Sequence, residues 1–315
     1  MTREAQSSSE SSSRPTLRHA MEFAVVWIFV HALRVLPRPL ARVAGAAIAR
    51  LAYASLGRLR RAGLRNLQLA FPAMSADQRE ALLREEYRNL GWLLAEFCQM
   101  PTYTQDFARR FIRYEGLENY LAARDRGHGV FVLTGHIGAW ELSSFFHSLA
   151  GNPMSMVIRR LDNPLVDRMV NRIRCQHGNR VLHKDDFARG LIAAMRAGET
   201  VGILMDTNMT PPQGLFVPFF GIEACTASGM ARVALKTGAA VLPGYLVWHQ
   251  EEGKYVLHFG PELALHRTGD SEADTTSNTA LFTAVLEDII RQYPTQWLWM
   301  HRRWKTRPPG QPPLY

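Results

Sequence analysis

The chain opens polar, turns apolar, and then settles into short apolar runs separated by amphipathic stretches. Residues 1–15 are serine-rich (Ser7 to Ser9, Ser11 to Ser13) and end at Pro15. Such a segment has too little apolar surface to fold and is expected to be a disordered tail. An apolar stretch follows from Phe23 to Val30 and weakens towards Leu36. Crossing a bilayer takes roughly 20 apolar residues, and this stretch is interrupted by Glu22, His31 and Arg34. No small-residue cleavage site follows it, so it does not read as a signal peptide. The pattern predicts a helix lying at or dipping into a membrane interface, with Arg14, Arg18, Arg34, Arg38 and Arg42 near the headgroups. A buried N-terminal core helix is the competing reading. Residues 40–70 continue as helix, Ala-rich and then basic (Arg58, Arg60, Arg61, Arg65). Ser75 with Gln78 three residues on is a capping-box pattern. It predicts a helix from Ala76 to about Met100, with Leu82, Leu83, Tyr87, Leu90, Leu94 and Phe97 at helical spacing.

Beyond residue 100 the period changes. Apolar runs at 129–134, 154–158, 200–205, 239–248 and 254–259 read as strands, and 138–149, 164–177, 187–197, 226–238 and 276–292 as helices. Alternation of this kind predicts an α/β fold: a mixed, mostly parallel central sheet flanked by helices, with an N-terminal membrane-associated helical region. The expected organisation is a tail at 1–15, a helical region at 16–100, and an α/β catalytic domain at 101–315 packed with those helices as one unit. In such sheets chemistry gathers at the carboxyl ends of strands.

Composition narrows the class. In 315 residues, 47% are hydrophobic and 21% charged, which suits a globular core and excludes a polytopic membrane protein. The three cysteines, Cys98, Cys175 and Cys225, are too far apart for a disulfide framework, and no Cys/His zinc spacing occurs. The 37 Lys and Arg outnumber the 28 Asp and Glu, a net charge of +9 that attracts polyanions such as anionic headgroups, phosphorylated glycolipids or acidic carrier proteins. Nucleic acid is not expected as a partner, because the basic residues are scattered and no recognition motif accompanies them.

One segment concentrates candidate chemistry: Thr134-Gly-His-Ile-Gly-Ala-Trp-Glu141. His136 follows a strand, and Glu141 lies five residues on. On a regular helix that spacing separates side chains by about 140°. Contact between them therefore requires His136 in the turn, which Gly135 and Gly138 permit. A neutral imidazole there suits a general base, with Glu141 on its other ring nitrogen to fix the tautomer. Thr134 and backbone amides near Gly135 are candidates for stabilising an oxyanion. Arg159 and Asp206 each end a strand. Arg174 sits in Asn171-Arg-Ile-Arg174, and Phe216-Val-Pro-Phe-Phe220 lines either an apolar pocket or the core. Near the end, Trp297, Trp299, His301, Arg302, Arg303 and Trp304 mix aromatics with cations, with core packing favoured for Trp297 and Trp299.

These pieces, taken in order, resemble the glycerolipid and lysophospholipid acyltransferase superfamily. The His136-to-Glu141 block resembles its H-x4-D/E motif, and the segments at 157–164, 202–221 and 226–243 resemble its later blocks. The stretch from Pro294 to Pro308 is similar to one branch, the secondary (lauroyl- or myristoyl-type) acyltransferases of lipid A biosynthesis. The resemblance covers roughly residues 20–312. It implies transfer of a fatty acyl group from acyl-carrier protein, or acyl-CoA, to a hydroxyl of a lipid A precursor, without a further cofactor or a metal, at the cytoplasmic face of a bacterial inner membrane. His136 and Glu141 are then the catalytic pair, and Arg159, Arg174, Asp206, Arg302 and Arg303 the substrate-binding candidates. Another acceptor, such as a lysophospholipid, an aminolipid or a phosphatidylinositol mannoside, is the alternative. The chain departs from the branch at Asp206-Thr-Asn208, where a glutamine usually follows the aspartate.

Overall fold

A computed structural model describes residues 15–183 and 187–315. The tail expected at 1–15 lies, but for Pro15, outside the described residues.

Four helices come first: α1 (Leu17–Val35), α2 (Arg38–Ser55), α3 (Gly57–Ala70) and α4 (Ala76–Gln99). The run expected as one helix over 40–70 is broken at Leu56, whose ψ of 60° is not helical. At α4 the capping box is present in both directions between Ser75 and Gln78. The rest alternates: α5 (Gln105–Phe111), β1 (Ile112–Glu115), α6 (Leu117–Asp125), β2 (Val130–Thr134), α7 (Trp140–Leu149), β3 (Ser155–Ile158), α8 (Pro164–Arg174), β4 (Arg180–His183), α9 (Phe187–Arg196), β5 (Thr200–Leu204), β6 (Gly214–Phe219), β7 (Ile222–Ala227), α10 (Gly229–Thr237), β8 (Ala240–His249), β9 (Lys254–Phe259) and α11 (Ser271–Gln292).

Seven strands form the main sheet in the order β1-β9-β8-β2-β5-β3-β4. Every pairing in it is parallel except β8 with β9. This is the mixed, mostly parallel sheet that the alternation predicts. Strands β6 and β7 make a separate antiparallel hairpin. The helix expected from Thr226 therefore starts later, at Gly229, because Thr226 and Ala227 pair with Leu215 and Gly214.

The central strand β2 is buried along Val130, Phe131, Val132 and Leu133, as a strand covered on both faces must be. Its alternating side chains enter two cores. One holds Phe131, Leu133, Trp297, Trp299 and Trp304 together with Leu67, Leu83 and Tyr87 of the N-terminal helices. The other holds Val132 with Phe145 and Phe146 of α7. Polar ties join the N-terminal helices to the C-terminal strap: Asn66 Nδ2 donates to the carbonyls of Trp299 and His301 at 2.6 Å, and Asn89 Nδ2 to that of Thr295 at 2.9 Å. The helices and the sheet thus share a core.

No helix among the described residues is long and apolar enough to cross a membrane. Instead α1 presents an exposed stripe of Leu17, Met21, Val25 and Ile28, and α2 one of Leu40, Val43 and Leu51. The opposite side of α1 packs through Val30 and Leu33 against Cys98.

Candidate active site

The parallel pairing of β2 with β5 sets Thr134 beside Leu204. Both chains run on in the same direction, so residues two positions further on, His136 and Asp206, meet beyond the carboxyl edge of the sheet. Asp206 takes three hydrogen bonds there. Its Oδ2 accepts from the His136 backbone N–H at 2.7 Å and from Trp297 Nε1 at 2.8 Å, and its Oδ1 meets His136 Nδ1 at 2.9 Å. The carboxylate is 3% exposed. Burial alone would favour its neutral form, but the imidazole and the three donors outweigh that and hold its pKa far below the usual carboxylate range. An ionised Asp206 requires a proton on His136 Nδ1. Nε2 is then the basic nitrogen, and among the described residues nothing takes it. For His136 itself, burial disfavours the charged ring, yet Asp206, and more weakly Glu141, raise its pKa above the ordinary value.

The carboxylate on the histidine is therefore Asp206 and not Glu141, which corrects the contact expected from the sequence. Glu141 stands in the first turn of α7, where its two oxygens accept from Arg174 Nε and Nη2 at 2.8 and 2.5 Å. Both side chains of this bidentate pair are about four-fifths buried, at 21% and 16% exposure. Glu141 reaches the imidazole through space.

The backbone turn is fixed as firmly. Gly138 has φ +58°, and a Cβ there would stand 2.0 Å from the Leu246 carbonyl oxygen. The amides of His136, Ile137, Gly138 and Ala139 go to Asp206 Oδ2, and to the carbonyls of Gly135, Gln296 and Leu246, respectively. The amides expected as oxyanion donors are thus committed elsewhere at these four residues. Leu298 N–H binds the His136 carbonyl at 3.1 Å, so the strap at 297–299 closes the turn from outside.

Beside the turn runs an apolar cleft enclosing about 680 Å³ of empty space, part of it open to solvent. Thr134, Glu141 and Arg174 line its site end. It lies between α7 and the strands β2, β3, β5, β8 and β9. Phe219 and Phe220 do not line it; they pack against Trp297, Trp299 and Trp304 in the core, which answers for these two the choice left open by the sequence.

The other cations disperse. Arg159 follows β3 in solvent, paired with Asp162 at 3.3 Å. Arg302 stacks over Tyr315. Arg303 is fully buried: its Nη1 donates to the Cys225 carbonyl at 2.9 Å, its Nη2 to the Thr226 hydroxyl, and its pKa is pushed down to about 10 by burial. It braces β7 and is closed to a headgroup, contrary to the expectation. Sequence reasoning also passed over the role of His301, whose Nε2 accepts from the Asn208 amide at 2.9 Å, and that of Trp297 on Asp206. Among the described residues no three His, Cys, Asp or Glu side chains converge as a metal site would require.

Comparison with known proteins bears on this arrangement. A model of the bacterial lipid A biosynthesis acyltransferases matches residues 10–306. The chain belongs to this family. It is similar to the lipid A biosynthesis palmitoleoyltransferase of Escherichia coli, at 30% identity over 292 residues and 92% of each chain. It is also similar to the lauroyltransferase of that organism, at 29% over 293 residues, again 92% of each. The myristoyltransferase of the same organism is 24% identical over 248 residues, 79% of this chain and 76% of the other. Membership makes the protein an acyltransferase of lipid A biosynthesis, as the resemblance of its motifs implies.

Proposed function

We propose that the protein transfers a fatty acyl group from the thioester of acyl-carrier protein to a hydroxyl of a lipid A precursor, with His136 as general base. The observation that carries this reading is the double hold of Asp206 on His136, which leaves Nε2 basic in a turn whose flanking residues, Thr134 and Glu141, line an apolar cleft. His136 Nε2 takes the proton of the acceptor hydroxyl as its oxygen bonds to the thioester carbonyl carbon. The carbon–sulfur bond then breaks, and the proton passes from Nε2 to the leaving thiolate. Asp206 stabilises the imidazolium formed in between. Glu141 adds negative charge near the ring and is held in place by Arg174. The Thr134 hydroxyl, on the cleft wall, is the donor proposed for the oxyanion.

The acceptor is a membrane lipid, and the apolar stripes of α1 and α2 suit docking on a bilayer. Arg50, Arg58 and Arg61 stand exposed along and beyond α2, where they would meet anionic headgroups. We place the enzyme on the cytoplasmic face of the inner membrane, where an acyl-carrier protein is available. Arg159 and Arg302 remain the cations open to a phosphorylated headgroup.

The test is transfer of labelled acyl groups from acyl-carrier protein, with a tetra-acylated lipid A precursor set against lysophospholipids. Product on the precursor, lost in His136→Ala, supports the reading. Product on lysophospholipid alone overturns the acceptor, and unchanged turnover in His136→Ala overturns the base.

A further inference from the structure

Helices α2 and α4 touch where both carry glycine. A Cβ on Gly45 would stand 2.1 Å from the Gly91 carbonyl oxygen, and one on Gly91 2.4 Å from that of Gly45. About two turns further along α2 the residue facing α4 is Tyr53, and on α4 its neighbour is Tyr87. Their rings meet edge to face at 5.1 Å between centroids. Helices in backbone contact at one point and held apart by two rings at the next must diverge, and a groove opens between them. It encloses about 1210 Å³ of empty space, part of it open to solvent. It shares no lining residue with the cleft beside Glu141.

The groove is walled by cations. Arg50 stands on the α2 side, Arg84 and Arg88 on the α4 side, and none of its lining residues is acidic. Arg84 pairs with Glu80 at 2.9 Å and Arg88 with Glu85, but both pairs are partly exposed and hold their arginines weakly. Arg50 has no ion-pair partner among the described residues. Tyr87 is 3% exposed, and its hydroxyl has no hydrogen-bond partner among the described residues. The lining thus gathers positive charge and holds no anion to answer it.

On one side the groove runs into the apolar stripe of α2. Val43, Ala47, Arg50 and Ala54 follow one another at intervals of four, three and four, so they share a helix face. Val43 and Leu51 of the stripe are 66% and 68% exposed. A ligand lying there meets apolar surface at one end and three guanidinium groups at the other. Guanidinium forks match the oxygens of a phosphate, and the apolar flank suits a hydrocarbon tail attached to it.

We propose that the groove between α2 and α4 binds one anionic phospholipid of the bilayer, with Arg50, Arg84 and Arg88 on its phosphate and its chains along Val43 and Leu51. The inference rests on the bilayer docking proposed above and adds a defined headgroup site to it. Helix α4 also carries Glu86 and Asn89, which bind the strap at Trp299 and Thr295, so the lipid sits on the helix that supports the catalytic turn.

The experiment uses a lipid that forms no surface. Dihexanoyl phosphatidylglycerol, below the concentration at which it makes micelles, is titrated into the full chain in a calorimeter, beside dihexanoyl phosphatidylcholine and inorganic phosphate. Saturable binding of one phosphatidylglycerol is expected, at least about tenfold tighter than either comparator. Arg50→Gln combined with Arg88→Gln should weaken it at least about tenfold. Ala47→Phe, at an exposed position, should do the same by filling the groove with every charge kept. Arg168→Gln combined with Arg172→Gln removes equal charge from exposed positions on α8 and should leave the affinity within about twofold. Unchanged binding in both groove variants, or an equal loss in the α8 variant, overturns the site. Inorganic phosphate bound as tightly as the lipid overturns the lipid as its occupant. A wild-type chain that binds anionic vesicles but not the monomeric lipid overturns the groove and leaves bilayer docking standing, and one that binds neither overturns both.

Discussion

Asp206 grips His136 at two points, its backbone N–H at 2.7 Å and its imidazole Nδ1 at 2.9 Å, so one carboxylate sets both the turn and the ring. A donor from Trp297 completes its coordination. Asp206→Asn would present an amide N–H to one of these three donors and release the tautomer. A fall in kcat of about 10²- to 10⁴-fold is expected, as for loss of an oriented base. Retention of more than a tenth of the wild-type rate would remove Asp206 from the reaction.

The pH dependence has a definite sign. The pKa of His136 is raised, and the base must be neutral, so kcat/KM should rise with pH through a midpoint above the ordinary histidine value of about 6.5. In Glu141→Gln the midpoint should move down, because a negative charge that favours the imidazolium is gone. A midpoint that stays put in this variant would show that Glu141 has no electrical influence on the ring.

The Glu141–Arg174 pair is expected to behave as a unit. Arg174→Met leaves a mostly buried carboxylate without its cation, and Glu141→Gln leaves the converse. The two single changes together should destabilise more than the double change does, with a coupling of about 0.5–3 kcal/mol. Chemical denaturation of the four proteins measures it, and additivity would mean that the two side chains are not energetically coupled.

Gly138→Ala tests the turn without touching a reacting group. The left-handed φ costs roughly 1–2 kcal/mol for any other residue, and the Leu246 carbonyl stands where the new Cβ would go. We expect a lowered melting temperature together with a loss of activity larger than the loss of folded protein. Wild-type activity in the folded fraction would show that the turn tolerates displacement.

Membrane docking is tested on the stripe of α1. Val25 and Ile28 are 68% and 63% exposed, so aspartates there disturb no core. The double variant should bind vesicles of anionic and zwitterionic phospholipid at least about tenfold more weakly, given the apolar area withdrawn from the bilayer. Equal binding would place the contact elsewhere.

Much of this fold is legible in the residue pattern, and the misses have physical reasons. Strands β2, β5, β8 and β9 are long enough or apolar enough to stand out. The edge strands β1 and β4 are four residues each and carry polar positions, so Ile112–Glu115 and Arg180–His183 lack a strand signature. The β6–β7 hairpin turns on Phe220 and Gly221, both at positive φ, and a phenylalanine there hides the signal that a second glycine would have given. His136 and Glu141 were found because they are neighbours in the chain. Asp206 is 70 residues from its histidine, and only the parallel register of β2 with β5 brings the two together. Arg303 illustrates the reverse: an arginine within an aromatic–basic run suggests a surface, yet its guanidinium reaches a backbone carbonyl inside the core.

The strap that closes the His136 turn also dates the site within the life of the chain. Trp297 and Leu298 reach it from more than 150 residues downstream of His136. A ribosome that has not yet released residues 297–304 holds a polypeptide in which His136 and Asp206 are both present but the Trp297 donor to Asp206 and the Leu298 amide that caps the turn are not. The last residues of the chain thus complete a turn laid down far upstream, and a chain truncated before Trp297 lacks the third donor to Asp206.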